Sequence, residues 1–139
     1  MDDGQVADAL AHLGPLISHV AAHGEAEEHL VYPHMRGVCA PDITVLVGDH
    51  VRINELASAI AGWTRGEGRA ELRRLLDEFC DISTAHFVVE GEVCMPVVHG
   101  HTALADEQLL FEAVEAEVFE KAVSRLARSQ ASAARGGAP

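Results

Sequence analysis

The sequence predicts an all-α protein built as an antiparallel up-and-down four-helix bundle. Only 4% of its 139 residues are aromatic, whereas Ala, Leu and Glu, which favour helices, are plentiful. Four long segments carry apolar residues at helical spacing, and the short connections between them favour antiparallel neighbours. A chain of this length can bury one core, so we expect a single domain over residues 1–129 and a flexible tail over 130–139.

The four predicted helices span about residues 5–35, 42–62, 69–98 and 105–129. Three short stretches separate them, with the sequences GVCAP, TRGEG and HGHTA. Each stretch contains Gly or Pro, the residues that most often end helices.

Two eleven-residue stretches share one spacing: HGEAEEHLVYP begins at His23, and HFVVEGEVCMP begins at His86. In both, Glu follows His after four positions, at Glu27 and Glu90, and Pro follows six positions later. A spacing of four places both side chains on one stripe of a helix, about 6 Å apart along the axis, where they can share a metal centre. The repetition supports metal binding more strongly than either copy alone.

These pairs and one further histidine fall at a common height in the predicted bundle. His50 lies near the centre of the apolar face of the second helix. Counted from the connections, the two His-Glu pairs and His50 all lie roughly 12–18 Å from the same end. Two buried carboxylates cost several kcal/mol unless a cation compensates them, so this layer predicts a metal site.

Composition excludes several other classes of protein. A net charge of −12 argues against a nucleic-acid partner and favours cations. The sequence has no apolar run of about 18 residues and no signal-peptide pattern at its start, so we expect a cytoplasmic protein without membrane contact. Its three cysteines include no C-x-x-C pair, and they predict neither a disulfide framework nor a thiolate zinc site.

Residues 5–98 resemble the hemerythrin-like, or HHE cation-binding, family. The similar residues are His23, Glu27 and Val31-Tyr32-Pro33 in one helix, Asp49-His50 with Ile53 in the next, and His86, Glu90 and Met95-Pro96 in the third. The resemblance implies a four-helix bundle that holds a non-haem di-iron centre, in which both Glu side chains can bridge the irons. Only 22 residues precede His23, so we expect the family's usual first helix, which bears another His, to be missing.

The fourth predicted helix can replace the missing one. Glu115 falls near the centre of its apolar arc, about 15 Å beyond the connecting turn and level with the other candidate ligands, so we expect Glu115 to supply the missing ligand. Glu112 and His19 are further candidates, with a surface position for Glu112 and a core or supporting role for His19 as the alternatives. For Tyr32 the alternatives are packing and a role beside the metal.

Imidazoles and carboxylates without thiolates favour iron, with manganese as the alternative, over structural zinc. Three functions stay open: an oxidoreductase acting on O2, peroxide or a small substrate; a carrier or sensor of O2 or NO; and a protein that stores or donates iron. A carboxylate-rich site favours the oxidoreductase, although the sequence does not establish that the protein is an enzyme. A homodimer contact through Leu10, Leu13 and Ile17 is a further expectation.

Overall fold

The computed structural model describes residues 3–63 and 67–136, and every regular element that these residues form is helical. The elements are α1 (Asp3–Leu30), α2 (Tyr32–Gly62), α3 (Arg69–Val89), a π-helical turn (Glu90–Cys94), α4 (Met95–His101) and α5 (Leu104–Gly136). The predicted all-α fold is therefore confirmed. No helix in the described ranges combines the length and apolarity that crossing a membrane requires.

The break predicted over residues 37–41 lies inside α2, because α1 already ends at Leu30. The axis of α2 nevertheless has to bend. Tyr32 Oη lies 3.4 Å from His50 Nε2, whereas 18 residues of straight helix would separate the two residues by about 27 Å. Gly37 and Pro41 lie in the intervening stretch, and Gly and Pro are common at sharp helix bends. The chain therefore reverses direction within α2.

The remaining breaks lie close to their predicted positions. Gly68 precedes α3 with φ of +82°, a backbone conformation that favours glycine, and its carbonyl accepts a hydrogen bond from Trp63 Nε1 at 3.1 Å. Residues 64–66 of the predicted TRGEG break lie outside the described residues. Helix α4 ends at His101. Helix α5 continues to Gly136, so most of the expected tail at 130–139 is helical, and residues 137–139 lie outside the described part of the chain.

Neighbouring helices run antiparallel, as the order of their contacts shows. Between α1 and α5, Glu25 pairs with Lys121 and Arg125, whereas His29, one turn further along α1, pairs with Glu117. Between α2 and α3, His50 contacts His86, whereas Arg52 contacts Glu78. In both cases the residue numbers increase along one helix as they decrease along the helix that it contacts. Helix α1 therefore packs between α2 and α5, and α2 packs between α1 and α3.

Two apolar clusters fill the interior, one on each side of a polar layer. The upper cluster lies at the end of the bundle where α2 reverses direction. Its members are Ala22, Ala26, Val31, Tyr32, Met35, Ile43, Leu46, Cys94, Val98, Val114 and Val118. The lower cluster lies toward the other end, with Val6, Ile17, Ile53, Leu56, Ala57, Ile60, Leu72, Leu75 and Phe79. Ile17, expected at a homodimer contact, is buried in this lower cluster, and Leu10 and Leu13 pack beside it.

Candidate metal centre

Four ligand-type side chains meet in the polar layer between the two apolar clusters. Glu27 of α1, His50 of α2, His86 of α3 and Glu90 of the π turn each offer one ligand atom, and these atoms all lie within 4.8 Å of one another. His50, His86 and Glu90 are buried, and the side chain of Glu27 is 13% exposed. The structure thus brings together side chains that the sequence placed at one height on separate helices.

Both His-Glu pairs make the contact that their spacing predicts. His23 Nε2 lies 2.8 Å from Glu27 Oε1, and His86 Nε2 lies 3.1 Å from Glu90 Oε1. His50 connects the pairs, because its Nε2 is 2.9 Å from His86 Nε2 and 3.6 Å from Glu27 Oε2. His23, with a side chain 32% exposed, stands at the solvent edge of the group.

The π turn that begins at Glu90 keeps one stripe of this chain segment buried. In a regular α-helix, residues spaced by four drift around the axis by about 40° at each step. The wider winding of a π turn reduces that drift, and His86, Glu90, Cys94 and Val98 all remain buried. π turns occur often at functional sites. Here the turn keeps Cys94 and Val98 in the upper cluster, on the stripe that also carries His86 and Glu90.

Two further carboxylates face the outer nitrogens of the buried histidines, meaning the Nδ1 atoms, since both Nε2 atoms face the other candidate ligands. His50 Nδ1 lies 2.8 Å from Glu28 Oε1, and His86 Nδ1 lies 3.5 Å from Asp49 Oδ2. Carboxylates in such positions fix the tautomer of a histidine and direct its other nitrogen toward a metal. The one feature of the sequence that could have indicated these carboxylates is their position next to a predicted ligand: Glu28 follows Glu27, and Asp49 precedes His50.

Tyr32 also belongs to the polar layer, as well as packing in the upper cluster. Its Oη donates to Glu90 Oε1 at 2.7 Å and lies 3.4 Å from His50 Nε2. Its ring stacks on the imidazole of His50 with an interplanar angle of 3° and a centroid distance of 5.6 Å. Burial and the neighbouring Glu90 raise the pKa of Tyr32, so in the metal-free protein its oxygen is a hydrogen-bond donor.

Replacing Tyr32 by Phe removes this donor while keeping the ring. Hydrogen bonds to charged groups contribute about 1.5–3 kcal/mol, and Glu90 is only 8% exposed. We therefore expect Tyr32→Phe to lower the free energy of unfolding of the metal-free protein by about 1.5–3 kcal/mol, measured by urea denaturation. Thr44→Val is the control, since it removes an exposed hydroxyl bonded to Ala40 O; equal losses in both variants would contradict the prediction.

Contacts within the metal-free group shift the pKa values of Glu27, His23 and His50. Burial opposes ionisation of Glu27, but the hydrogen bond from His23 and the nearby imidazole of His50 outweigh it and lower the pKa of Glu27 to about 2. The hydrogen bond to Glu27 raises the pKa of His23. Burial lowers the pKa of His50, yet the neighbouring carboxylates of Glu27 and Glu28 together raise it. The geometry favours positive charge among these carboxylates, which a metal cation can supply in place of protons.

Three candidates from the sequence do not join the group. Glu115, Glu112 and His19 are all exposed, so the interior position expected for Glu115 is not observed. The physical reason is the orientation of α5 around its own axis. Val114 and Val118 are its buried residues at this level, and Val114 and Phe111 line a cavity beside Glu27 and Glu90. Glu112 instead accepts a hydrogen bond from Gln108 at 3.0 Å.

The arrangement fits a bound metal ion on two observations. Glu27 Oε2 is buried without a hydrogen-bond partner within 3.5 Å, and buried polar atoms are seldom left in that state. In addition, if Glu28 and Asp49 fix both histidines with hydrogen on Nδ1, two Nε2 lone pairs face each other at 2.9 Å, which is repulsive without a cation. Imidazole and carboxylate donors suit iron and manganese.

Comparison with known families agrees with this geometry. The model of the hemerythrin HHE cation binding domain matches residues 1–98, which include both His-Glu pairs and His50 and end within α4. No significant match to a curated protein or to a solved structure was found. The match covers more than half of the chain, and helix α5 lies beyond it. The chain therefore belongs to the hemerythrin HHE cation-binding domain family.

Proposed function

We propose that this chain holds a non-haem di-iron centre and acts as an oxidoreductase toward O2 or peroxide. Glu27, His50, His86 and Glu90 would hold the metal, with His23 at its solvent edge. Bound iron would supply the redox chemistry and open coordination positions. The observation that carries the proposal is the convergence of two imidazoles and two carboxylates within 4.8 Å in the interior.

The two His-Glu pairs favour a centre with two ions. Each His-Glu pair, at 2.8 Å and 3.1 Å, can supply one nitrogen and one oxygen ligand, and His50 lies between the pairs. Glu27 contacts His23 and His50, and it is therefore positioned to serve two ions. With Glu115 exposed, the carboxylate-rich character that favours an oxidoreductase rests on Glu27 and Glu90.

A cavity of about 50 Å³ adjoins the group and defines the size of molecule that can react there. Glu27 and Glu90 border it on the metal side, and Phe111, Val114 and Val98 provide apolar walls. A water molecule needs about 10–15 Å³ of such space, whereas pockets for organic ligands usually measure 300–1,000 Å³. The cavity therefore favours O2, peroxide or NO over a larger organic substrate.

The apolar cavity also supports a second function, reversible binding or sensing of O2 or NO. Phe111 and Val114 come from α5, outside the part of the chain that the family model matches. They lie on the side of the four candidate ligands where Glu115 was expected. This side of the site is therefore apolar. An apolar wall beside an open coordination position can protect a bound diatomic from water and protons.

One reconstituted sample distinguishes these functions. The metal-free protein is loaded anaerobically with Fe(II), its iron content is measured, and Mössbauer spectroscopy tests for two coupled irons. We expect two irons per chain and steady consumption of O2 or peroxide. A visible band that appears with O2 and disappears under vacuum, without consumption, would support the carrier instead. Retention of no iron would reject both functions.

A further inference from the structure

Gly24 of α1 lies directly against the imidazole ring of His50. A Cβ atom placed on Gly24 would lie 2.7 Å from His50 Cδ2 and 2.9 Å from both Cγ and Nε2. Contacts below 3.0 Å force one partner to move, and here three ring atoms are affected together. The His50 side chain is only 4% exposed, so the ring has little room to retreat. The contact requires a residue without a side chain.

The backbone of Gly24 offers no other reason for glycine. Gly24 lies inside α1, and Gly68 is the single positive-φ glycine among the described residues. Glycine inside a helix is unfavourable relative to alanine. At Gly14 in α1 and Gly48 in α2, by contrast, an added Cβ atom would meet nothing within 4 Å. The close approach to His50 therefore distinguishes Gly24 from Gly14 and Gly48.

Glu28 holds the same ring at its outer nitrogen. It follows Gly24 by four residues, which places it on the same stripe of α1, and its Oε1 lies 2.8 Å from His50 Nδ1. A carboxylate oxygen accepts, so this contact requires hydrogen on Nδ1 and leaves Nε2 to face His86 at 2.9 Å. His86 is held less closely, since its Nδ1 lies 3.5 Å from Asp49.

We propose that Gly24 and Glu28 form a platform on α1, here called the His50 platform, that sets the position and the tautomer of His50. Gly24 determines how closely the ring approaches α1, and Glu28 determines which nitrogen faces the cluster. Both are positioning residues, since they act through His50. The expected effect on metal binding rests on the proposed function. The placement of the His50 ring, by contrast, is a property of the metal-free protein.

The test compares Gly24→Ala with Gly14→Ala and Gly48→Ala. Nitrogen-15 NMR of the histidine rings, recorded without metal at a pH where His50 is neutral, reports ring environment and tautomer. We expect Gly24→Ala to shift the His50 signals and to weaken Fe(II) binding by about 10-fold to 100-fold, the usual cost of disturbing a residue that supports a ligand. Both controls should keep the wild-type signals and affinity. Unchanged signals and affinity in Gly24→Ala would overturn the role of Gly24.

A second pair of variants keeps the proposal testable if Gly24→Ala does not fold. Glu28→Ala removes the acceptor and should abolish the preference for hydrogen on Nδ1, whereas Glu28→Gln retains a carbonyl oxygen and should largely restore it. A wild-type tautomer in Glu28→Ala would overturn the role of Glu28. If the wild-type protein binds no iron, the proposed function fails, and the NMR comparison still decides whether the platform sets His50.

Discussion

Single replacement of His50 or His86 by Ala is expected to weaken Fe(II) binding at least about 100-fold, because even residues that only support a ligand contribute 10-fold to 100-fold. The two Nε2 atoms lie 2.9 Å apart in the interior, and each variant leaves one of them opposite an empty space. Iron content after anaerobic loading and gel filtration, together with calorimetric titration, measures the effect. Circular dichroism establishes that each variant retains its helices.

His34→Ala is the matched control, because His34 is an exposed histidine outside the polar layer. If iron bound to surface histidines instead of the interior group, His34→Ala would lose as much iron as His50→Ala. We expect His34→Ala to retain wild-type stoichiometry and affinity. Equal iron binding by wild type, His50→Ala and His86→Ala would show that the interior group is not the metal site.

The common height of His50, His86 and the two glutamates was predictable because helices are rigid rods with a fixed rise per residue. Counting residues from the chain connections therefore placed these side chains at one level, and the predicted break over residues 37–41 lies in the stretch where α2 reverses direction. Helix α1 ends at Leu30 and the reversal lies inside α2. Hydrogen bonding through a bend is not visible in the sequence, since Gly37 and Pro41 can either end a helix or bend it.

The position of Glu115 was not predictable because α5 carries more apolar residues than its neighbours cover. The apolar residues that recur at helical spacing in this part of the sequence include Phe119 and Val123 as well as Val114 and Val118. The structure buries Val114 and Val118 and leaves Phe119 71% and Val123 48% exposed. Periodicity identifies a broad apolar face, but which part of it is buried depends on the packing of α5 against α1, information that lies in no single helix.

The contacts that Tyr32, Glu28 and Asp49 make with the buried histidines were also not predictable from the sequence. Tyr32 reaches His50 because α2 folds back between them; the sequence placed a chain reversal there, but it did not show how each side of the bend is rotated about its axis. Glu28 and Asp49 stand beside predicted ligands in the chain, yet each contacts a histidine of a neighbouring helix. Spacing along one helix predicts partners on that helix, whereas partners across helices require the relative rotation of both.

Metal binding should also stabilise the fold, since the ion binds a group of side chains that exists only in the folded state. A ligand present at 100 times its dissociation constant adds about 2.7 kcal/mol to the free energy of unfolding. For a chain of this size, that corresponds to a rise of roughly 10 °C in Tm. We expect this rise with Fe(II) or Mn(II) in anaerobic thermal unfolding followed by circular dichroism.

Variants and ions separate this stabilisation from nonspecific binding to an acidic surface. The net charge of −12 attracts any divalent cation, so Ca²⁺ at the same concentration tests that contribution, and it should raise Tm far less because it prefers all-oxygen sites. His50→Ala retains the acidic surface but lacks one interior nitrogen, so Fe(II) should leave its Tm nearly unchanged. An equal rise in wild type and His50→Ala would place the stabilising metal on the surface. A rise confined to the wild type links the fold to the buried imidazole-carboxylate group.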